Sequence, residues 1–254
     1  MTSFEIQVPK WLIQEINTHR ALSRSFASSR AIPLAKYRSL PMYFPEKWFG
    51  NKPGMEVAEE LDVESSKLVS DEYKILLYDT TQSHTIFEKH NLSKSQGNRV
   101  FEPYALIKGI VSGTDWDNVL NLRTPKGAQP EFRTLAFQIG RLLLDSEPRE
   151  LGWFQWHLPY INHFDEFPDF QLNRISAARC ARVSYLNHDQ SNPDGTKDLA
   201  LAFRLDQDEH LSPFEHPAIA IPGRHANYSG WCQLRSFIHD QRTVDKSWQE
   251  RLKM

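Results

Sequence analysis

Apolar positions recur along this chain at helical spacing in several stretches and as short runs elsewhere. The clearest stretch runs from about Gln129 to Leu144. There Phe132, Leu135, Ala136, Ile139 and Leu143 fall at i, i+3, i+4, i+7 and i+11, forming one apolar face. A first helix is expected from Val8 to about Phe26, with a partial stripe of Trp11, Ile13, Ile16 and Leu22 and with Pro9 in its first turn. Pro33 biases Ile32 away from helix, and residues 40–54, with Pro41, Pro45, Gly50, Pro53 and Gly54, read as a loop. Met55 to about His90 is acidic and helical in pattern, with a break expected at Ser70-Asp71. Ala105–Val111 is a short strand or a buried connector, a choice that periodicity does not make at that length. The proline- and aromatic-rich stretch 147–170 is expected to be a packed irregular cover. Helices near Ile175–Ser184 and Lys197–Asp206 flank a polar loop, Asn187–Thr196; a short strand at Ile219–Ile221 and a last helix, Ser229 to about Asp240, follow. The pattern is α+β with helix dominating and a small antiparallel or mixed sheet, in one domain spanning residues 1–254.

Composition narrows the function classes. The 254 residues hold 30 Lys+Arg against 32 Asp+Glu, a net charge of −2 that argues against a generic nucleic-acid or membrane-surface binder. No apolar run approaches the ~18 residues a membrane span needs. The opening MTSFEIQVPKWL lacks the basic-then-apolar order of a signal peptide, so a soluble cytoplasmic protein is expected. Two cysteines, Cys180 and Cys232, are too few for a disulfide framework or a Cys-rich metal site, and no metal site is expected.

Four segments could carry chemistry. Thr18–Arg30 combines five hydroxyl residues (Thr18, Ser23, Ser25, Ser28, Ser29) with Arg20, Arg24 and Arg30. If helical, it sets His19 and Ser23 on one face and makes either an anion-binding rim or a solvated helix face. Arg174, Arg179 and Arg182 have little nearby acid in sequence, which suggests a bound anion or a surface cationic face. Cys180 between them reads best as a small buried apolar residue. His210-Leu211-Ser212-Pro213-Phe214-Glu215-His216 contains a capping box with Pro at the first helical position, which leaves its two histidines unexplained. Asn118–Arg123, followed by Ala128-Gln129-Pro130-Glu131, says by itself only helix, turn, helix.

Taken together, these segments resemble the flavin-dependent thymidylate synthases, the ThyX family. Residues 210–216 match its H-x-S/T-P-F-E-H signature, and Ala181-Arg182-Val183-Ser184-Tyr185 matches its A-R-V-C/S-Y segment. Against its R-H-R-x-x-S-x-N-E-x-S-x-R-Y motif, residues 18–31 keep His19, Arg20, Ser23, Ser28 and Arg30. Arg99, Pro103, Asn118–Arg123 and residues 128–131 resemble a further stretch, with an Arg before a Pro, N-x-x-x-L-R and A-Q-x-E. The motif order is circularly permuted relative to typical members, which is reasonable for a domain whose termini lie close together. The strings S-S-R-A-I-P (28–33) and W-H-L-P-Y (156–160) are similar to a divergent, phage-like branch.

The resemblance implies a ThyX-like fold, a homotetramer with active sites between subunits, and a location in the cytoplasm, the host's if phage-encoded. It implies methylation of dUMP to dTMP, with FAD as cofactor and methylenetetrahydrofolate and NADPH as co-substrates. It further implies that His19, Arg20, Asn118, Ser184, Ser212 and Glu215 hold the flavin. Ser28 and Arg30 would hold the nucleotide phosphate, with Arg99 from a neighbouring subunit. Arg123 would face the pyrimidine carbonyl, and His210 would lie near nucleotide and folate. The sequence departs from the motif at Thr18 (Arg in the family), Ser25 (Asn), Phe26 (Glu) and Ala31 (Tyr). Losing the carboxylate at Phe26 opens the alternatives of dCMP as substrate, of hydroxymethylation, or of a non-catalytic nucleotide-binding relative.

Overall fold

The computed structural model describes residues 1–54, 56–162, 165–183 and 194–240, with the side chains of residues 239 and 240 set aside. It is a helix-rich α+β structure with two small antiparallel sheets. The chain falls into two compact units, Thr2–Arg149 and Glu150–Met254, the latter joined by Met1. Among the described residues no helix is long and apolar enough to cross a membrane.

The N-terminal unit contains β1 (Thr2–Pro9), α1 (Leu12–Thr18), β2 (Ser23–Phe26), α2 (Leu34–Arg38), α3 (Val63–Lys89), α4 (Lys94–Gly97), β3 (Leu106–Gly113), α5 (Asp117–Arg123) and α6 (Pro130–Asp145). Strand β3 lies between β1 and β2, antiparallel to both, with Ile6 opposite Gly109 and Ser25 opposite Ile110. Period-two alternation sets the buried face: Ile6 and Val8 point inward while Glu5 and Gln7 face solvent. The predicted face of α6 is the buried one, and Phe132, Leu135 and Ile139 pack with Leu12, Ile16 and Val111. Each such buried side chain contributes about 1.5–3 kcal/mol.

Two expectations fail here. Val8–Phe26 is not one helix but the end of β1, the short α1, a turn and β2. His19 leaves α1 with ψ 86°, and the Arg24 guanidinium donates to the Leu22 carbonyl, closing the turn that the helix reading missed. Ser23 and Ser25 are buried, small residues on the packed face of a strand rather than on a helix surface. Helix α3 runs unbroken through Ser70-Asp71, its start capped by the Asp62 carboxylate accepting from the Ser65 amide.

The C-terminal unit contains β4 (Trp156–His157), α7 (Asp169–Arg182), α8 (Gly195–Gln207), β5 (Ala218–His225), β6 (Tyr228–Gln233) and α9 (Leu234–Asp240). The sheet runs β4-β5-β6, antiparallel, with an irregularity between Ala220 and Arg224. Pro222 and Gly223 (φ +102°) sit in that irregularity, where a missing donor and a left-handed backbone are tolerated. The helix expected from Ser229 begins only at Leu234, because Tyr228–Gln233 pairs with β5 as a strand. The stretch 147–170 is mostly irregular, but Trp153, Phe154 and Phe170 are exposed, so it is less packed than its aromatic content suggests. Most of the expected loop Asn187–Thr196 lies outside the described residues.

Candidate functional site

In the N-terminal unit, two distant segments meet in one cleft of about 190 Å³, lined by Thr18, His19, Arg20, Asp115, Asn118 and Arg123 among others. The end of α1 supplies Thr18 and His19, and the seven-residue α5 supplies Asn118 in its first turn and Arg123 in its last. A cation at that C-terminal position suits the helix dipole. The Arg123 Nε–H donates to His19 Nε2 at 2.9 Å, across 104 residues of sequence. Its Nη2 donates to Thr18 Oγ1 at 3.2 Å and lies 3.5 Å from a Glu15 carboxylate oxygen. Beneath both groups lies Phe132, with the guanidinium 4.5 Å from its ring centre and the His19 ring edge-on at 5.4 Å.

These contacts decide the state of His19. Because Nε2 accepts, the ring's proton sits on Nδ1. Burial foremost, then the Arg123 charge, holds its pKa below the ordinary value, so the imidazole is neutral. The cleft thus offers a fixed cation, a neutral imidazole N–H and the Asn118 amide. This set suits a ring edge bearing carbonyls and an N–H, the imide edge that a uracil and a flavin share. The volume suits one ring rather than a whole dinucleotide, being below the ~300–1,000 Å³ common for small-molecule sites.

Ser28 and Arg30 lie on a different, rigidly held loop. Ser28 caps the 3-10 turn Ser29–Ala31, accepting from the Arg30 amide, and both residues are exposed. Buried Asn98 clamps this loop, its amide donating to the Ser29 and Ile32 carbonyls at 2.8 Å each while its oxygen meets His84 Nε2 at 3.1 Å. Lys10 and Ser29 both donate to Glu102 Oε1, fixing the loop from the other side. Arg99 is exposed on the next 3-10 turn, Asn98–Phe101, which packs against Ser29–Ala31 in the same chain. Phe26, where the ThyX motif has Glu, lies on β2 with its ring against Gly109, serving as packing.

The remaining predicted residues belong to the C-terminal unit, and Ser184 lies outside the described residues. His210 is exposed. Ser212 opens the 3-10 turn Ser212–Glu215, with Leu211 at the N-cap position and Pro213 in the first turn. Glu215 pairs with Arg235 and accepts from the Tyr228 hydroxyl at its carbonyl, tying that turn to α9 and β6. His216, unexplained by sequence, is a fully buried histidine whose pKa is lowered to about 3 by burial and then by nearby His157.

The arginine cluster is corrected outright. Arg179 is fully buried and donates to Asp165 through both Nη atoms at 2.7 Å and to Asp198 at 2.8 Å. Arg182 also pairs with Asp198, and Arg174 pairs with Asp206 at 3.0 Å. Their acids lie 14 to 32 residues away, so a local reading could not find them. Cys180 is buried, as expected, and burial pushes its thiol far above the ordinary range. The sequence marks Phe132 by its apolar spacing as core, and gives no sign that its ring also supports the Arg123 guanidinium and the His19 imidazole.

No protein-family model matches the chain, and no curated protein matches it. Among solved structures it is similar to the crystal structure of a UMP/dUMP methylase, PolB from Streptomyces cacaoi, bound with 5-Br UMP. The match has 15% identity and a TM-score of 0.48, covering 56% of this chain and 67% of that one, a likeness too slight to carry a statement about chemistry.

Proposed function

We propose that this protein is a flavin-dependent enzyme that methylates a pyrimidine deoxynucleotide, most simply dUMP to dTMP, with a ThyX-like, circularly permuted fold. The observation that carries the reading is the bond between Arg123 and His19. It joins two of the segments that resemble ThyX, and a chance resemblance gives no reason for them to share a cleft. His19, Arg20 and Asn118 would hold the polar edge of FAD, which when bound supplies the hydride chemistry. The Arg123 guanidinium, fixed by His19, Thr18 and Phe132, stands ready to stabilise negative charge developing on a pyrimidine carbonyl as C5 attacks the one-carbon unit. Ser28 and Arg30, on their clamped loop, would take the nucleotide phosphate.

One observation favours a second reading of the same class, with a different pyrimidine or one-carbon outcome. Phe26 packs on Gly109, so the position gives packing where the motif gives a carboxylate. Turnover of dUMP against dCMP, with FAD, NADPH and methylenetetrahydrofolate, separates the two. Mass spectrometry of the product distinguishes a methyl from a hydroxymethyl group. Absence of any product from either nucleotide, with no nucleotide binding by calorimetry, overturns both readings.

A further inference from the structure

A second and larger cleft in the N-terminal unit, about 500 Å³, lies apart from the residues just assigned and falls within the size range of small-molecule sites. Tyr43, Phe44 and Phe49 contribute aromatic walls, and Glu46 and Glu131 contribute carboxylates. The Tyr43 hydroxyl donates to Glu131 Oε1 at 2.5 Å, and burial followed by that bond holds the phenol well above its ordinary pKa, so it stays a donor committed to Glu131. The other Glu131 oxygen and both oxygens of Glu46 make no hydrogen bond among the described residues, leaving acceptor capacity. Among the described residues the cleft's one lining cation, Lys47, is already paired with Glu60 at 2.7 Å. Aromatic faces attract flat rings and cations, whereas unused carboxylate oxygens seek N–H donors and repel anions.

We infer that this cleft is a binding site for a planar, uncharged or cationic nitrogen heterocycle that presents amino or ring N–H donors. Its chemistry is the opposite of the Arg123 cleft and the Ser28–Arg30 loop, which offer cations, so the inference stands whether or not the proposed reaction is correct. The ring would lie against the aromatic walls and direct its donors at Glu131 and Glu46.

The probe is 2-aminobenzimidazole, titrated calorimetrically into the intact protein, with benzimidazole-5-carboxylate as the anionic counterpart. The wild-type protein is expected to bind the amino compound at least tenfold tighter than the carboxylate. Glu131→Gln should weaken binding by tenfold or more, and the surface variant Glu46→Gln by several-fold. Arg123→Ala should leave it unchanged. No binding at millimolar probe by protein with a normal melting transition overturns the inference, as does equal affinity for the carboxylate or unaltered binding in both Glu variants. Should Glu131→Gln fail to fold, Glu46→Gln decides alone.

Discussion

Replacing Arg123 by alanine tests the geometry of the cleft before any cofactor is considered. The substitution removes a charged hydrogen bond to His19, a second to Thr18, a partly screened pair with Glu15 and the stacking on Phe132. A hydrogen bond to a charged group contributes about 1.5–3 kcal/mol and a cation–π contact about 0.5–2. The pair with half-exposed Glu15 adds under ~1 kcal/mol. Relief of the partial desolvation of the guanidinium offsets some of this, so a net loss of about 1–3 kcal/mol is expected. For a chain of this size, at about 2–4 °C per kcal/mol, that corresponds to a fall in melting temperature of roughly 2–12 °C. The sharper readout is His19 itself. The Arg123 charge is the second cause, after burial, of its lowered pKa, so the alanine variant should titrate at a higher pH, nearer the ordinary histidine value. Histidine ring signals followed by NMR across pH 4–9 report this directly. A His19 pKa that stays put or falls would refute the bond on which the cleft rests. With FAD loaded, the same variant should keep the flavin and lose turnover; loss of the flavin would contradict the role given to Arg123.

Asn98→Ala removes the side-chain partner of the Ile32 carbonyl and of His84 Nε2 and leaves the Ser29 carbonyl with the Ile32 amide alone, at about 1–3 kcal/mol for each group left unsatisfied. It should weaken nucleotide binding through a loosened Ser28–Arg30 loop while sparing flavin; equal loss of both would show general damage instead. A Cβ at Gly109 would fall 2.1 Å from the Phe26 ring, so Gly109→Ala should destabilise by about 1–3 kcal/mol in urea, and Gly109→Ala with Phe26→Leu should recover part of it. His216 and His157 are held neutral, at about 3 and about 4, against ~6.5 in the unfolded chain. The unfolded state therefore binds protons first, and urea stability should fall as pH drops below about 6.5. Asp165, which burial would raise but the Arg179 hydrogen bonds hold below its ordinary value, adds stability present above about pH 4 and lost beneath it. A stability profile flat from pH 7 to 4 contradicts the histidine assignments, and one that does not fall further below pH 4 contradicts that of Asp165.

What could be read from sequence followed the range of the interaction. Helix α6 was legible because five apolar residues repeat at its own period, and Pro130 marks its first turn. Strand β2 was not, because its buried positions are Ser23 and Ser25, polar by type and inward by geometry. Arg179 looked unpaired because Asp165 and Asp198 reach it only once the unit is folded. The cleft was visible as motif residues 18–20 and 118–123, whereas the loop clamp of Lys10, Ser29, Asn98 and Glu102 carries no local pattern at all.

The most direct test of the proposed chemistry is the visible absorption spectrum of the purified protein, taken after loading with FAD and desalting, with and without dUMP. The account predicts a retained oxidised-flavin band pair at about one per chain, shifted on adding dUMP and lost in His19→Ala. No retained flavin, even with dUMP present, would contradict the central claim that the His19–Arg123 cleft serves a flavoenzyme.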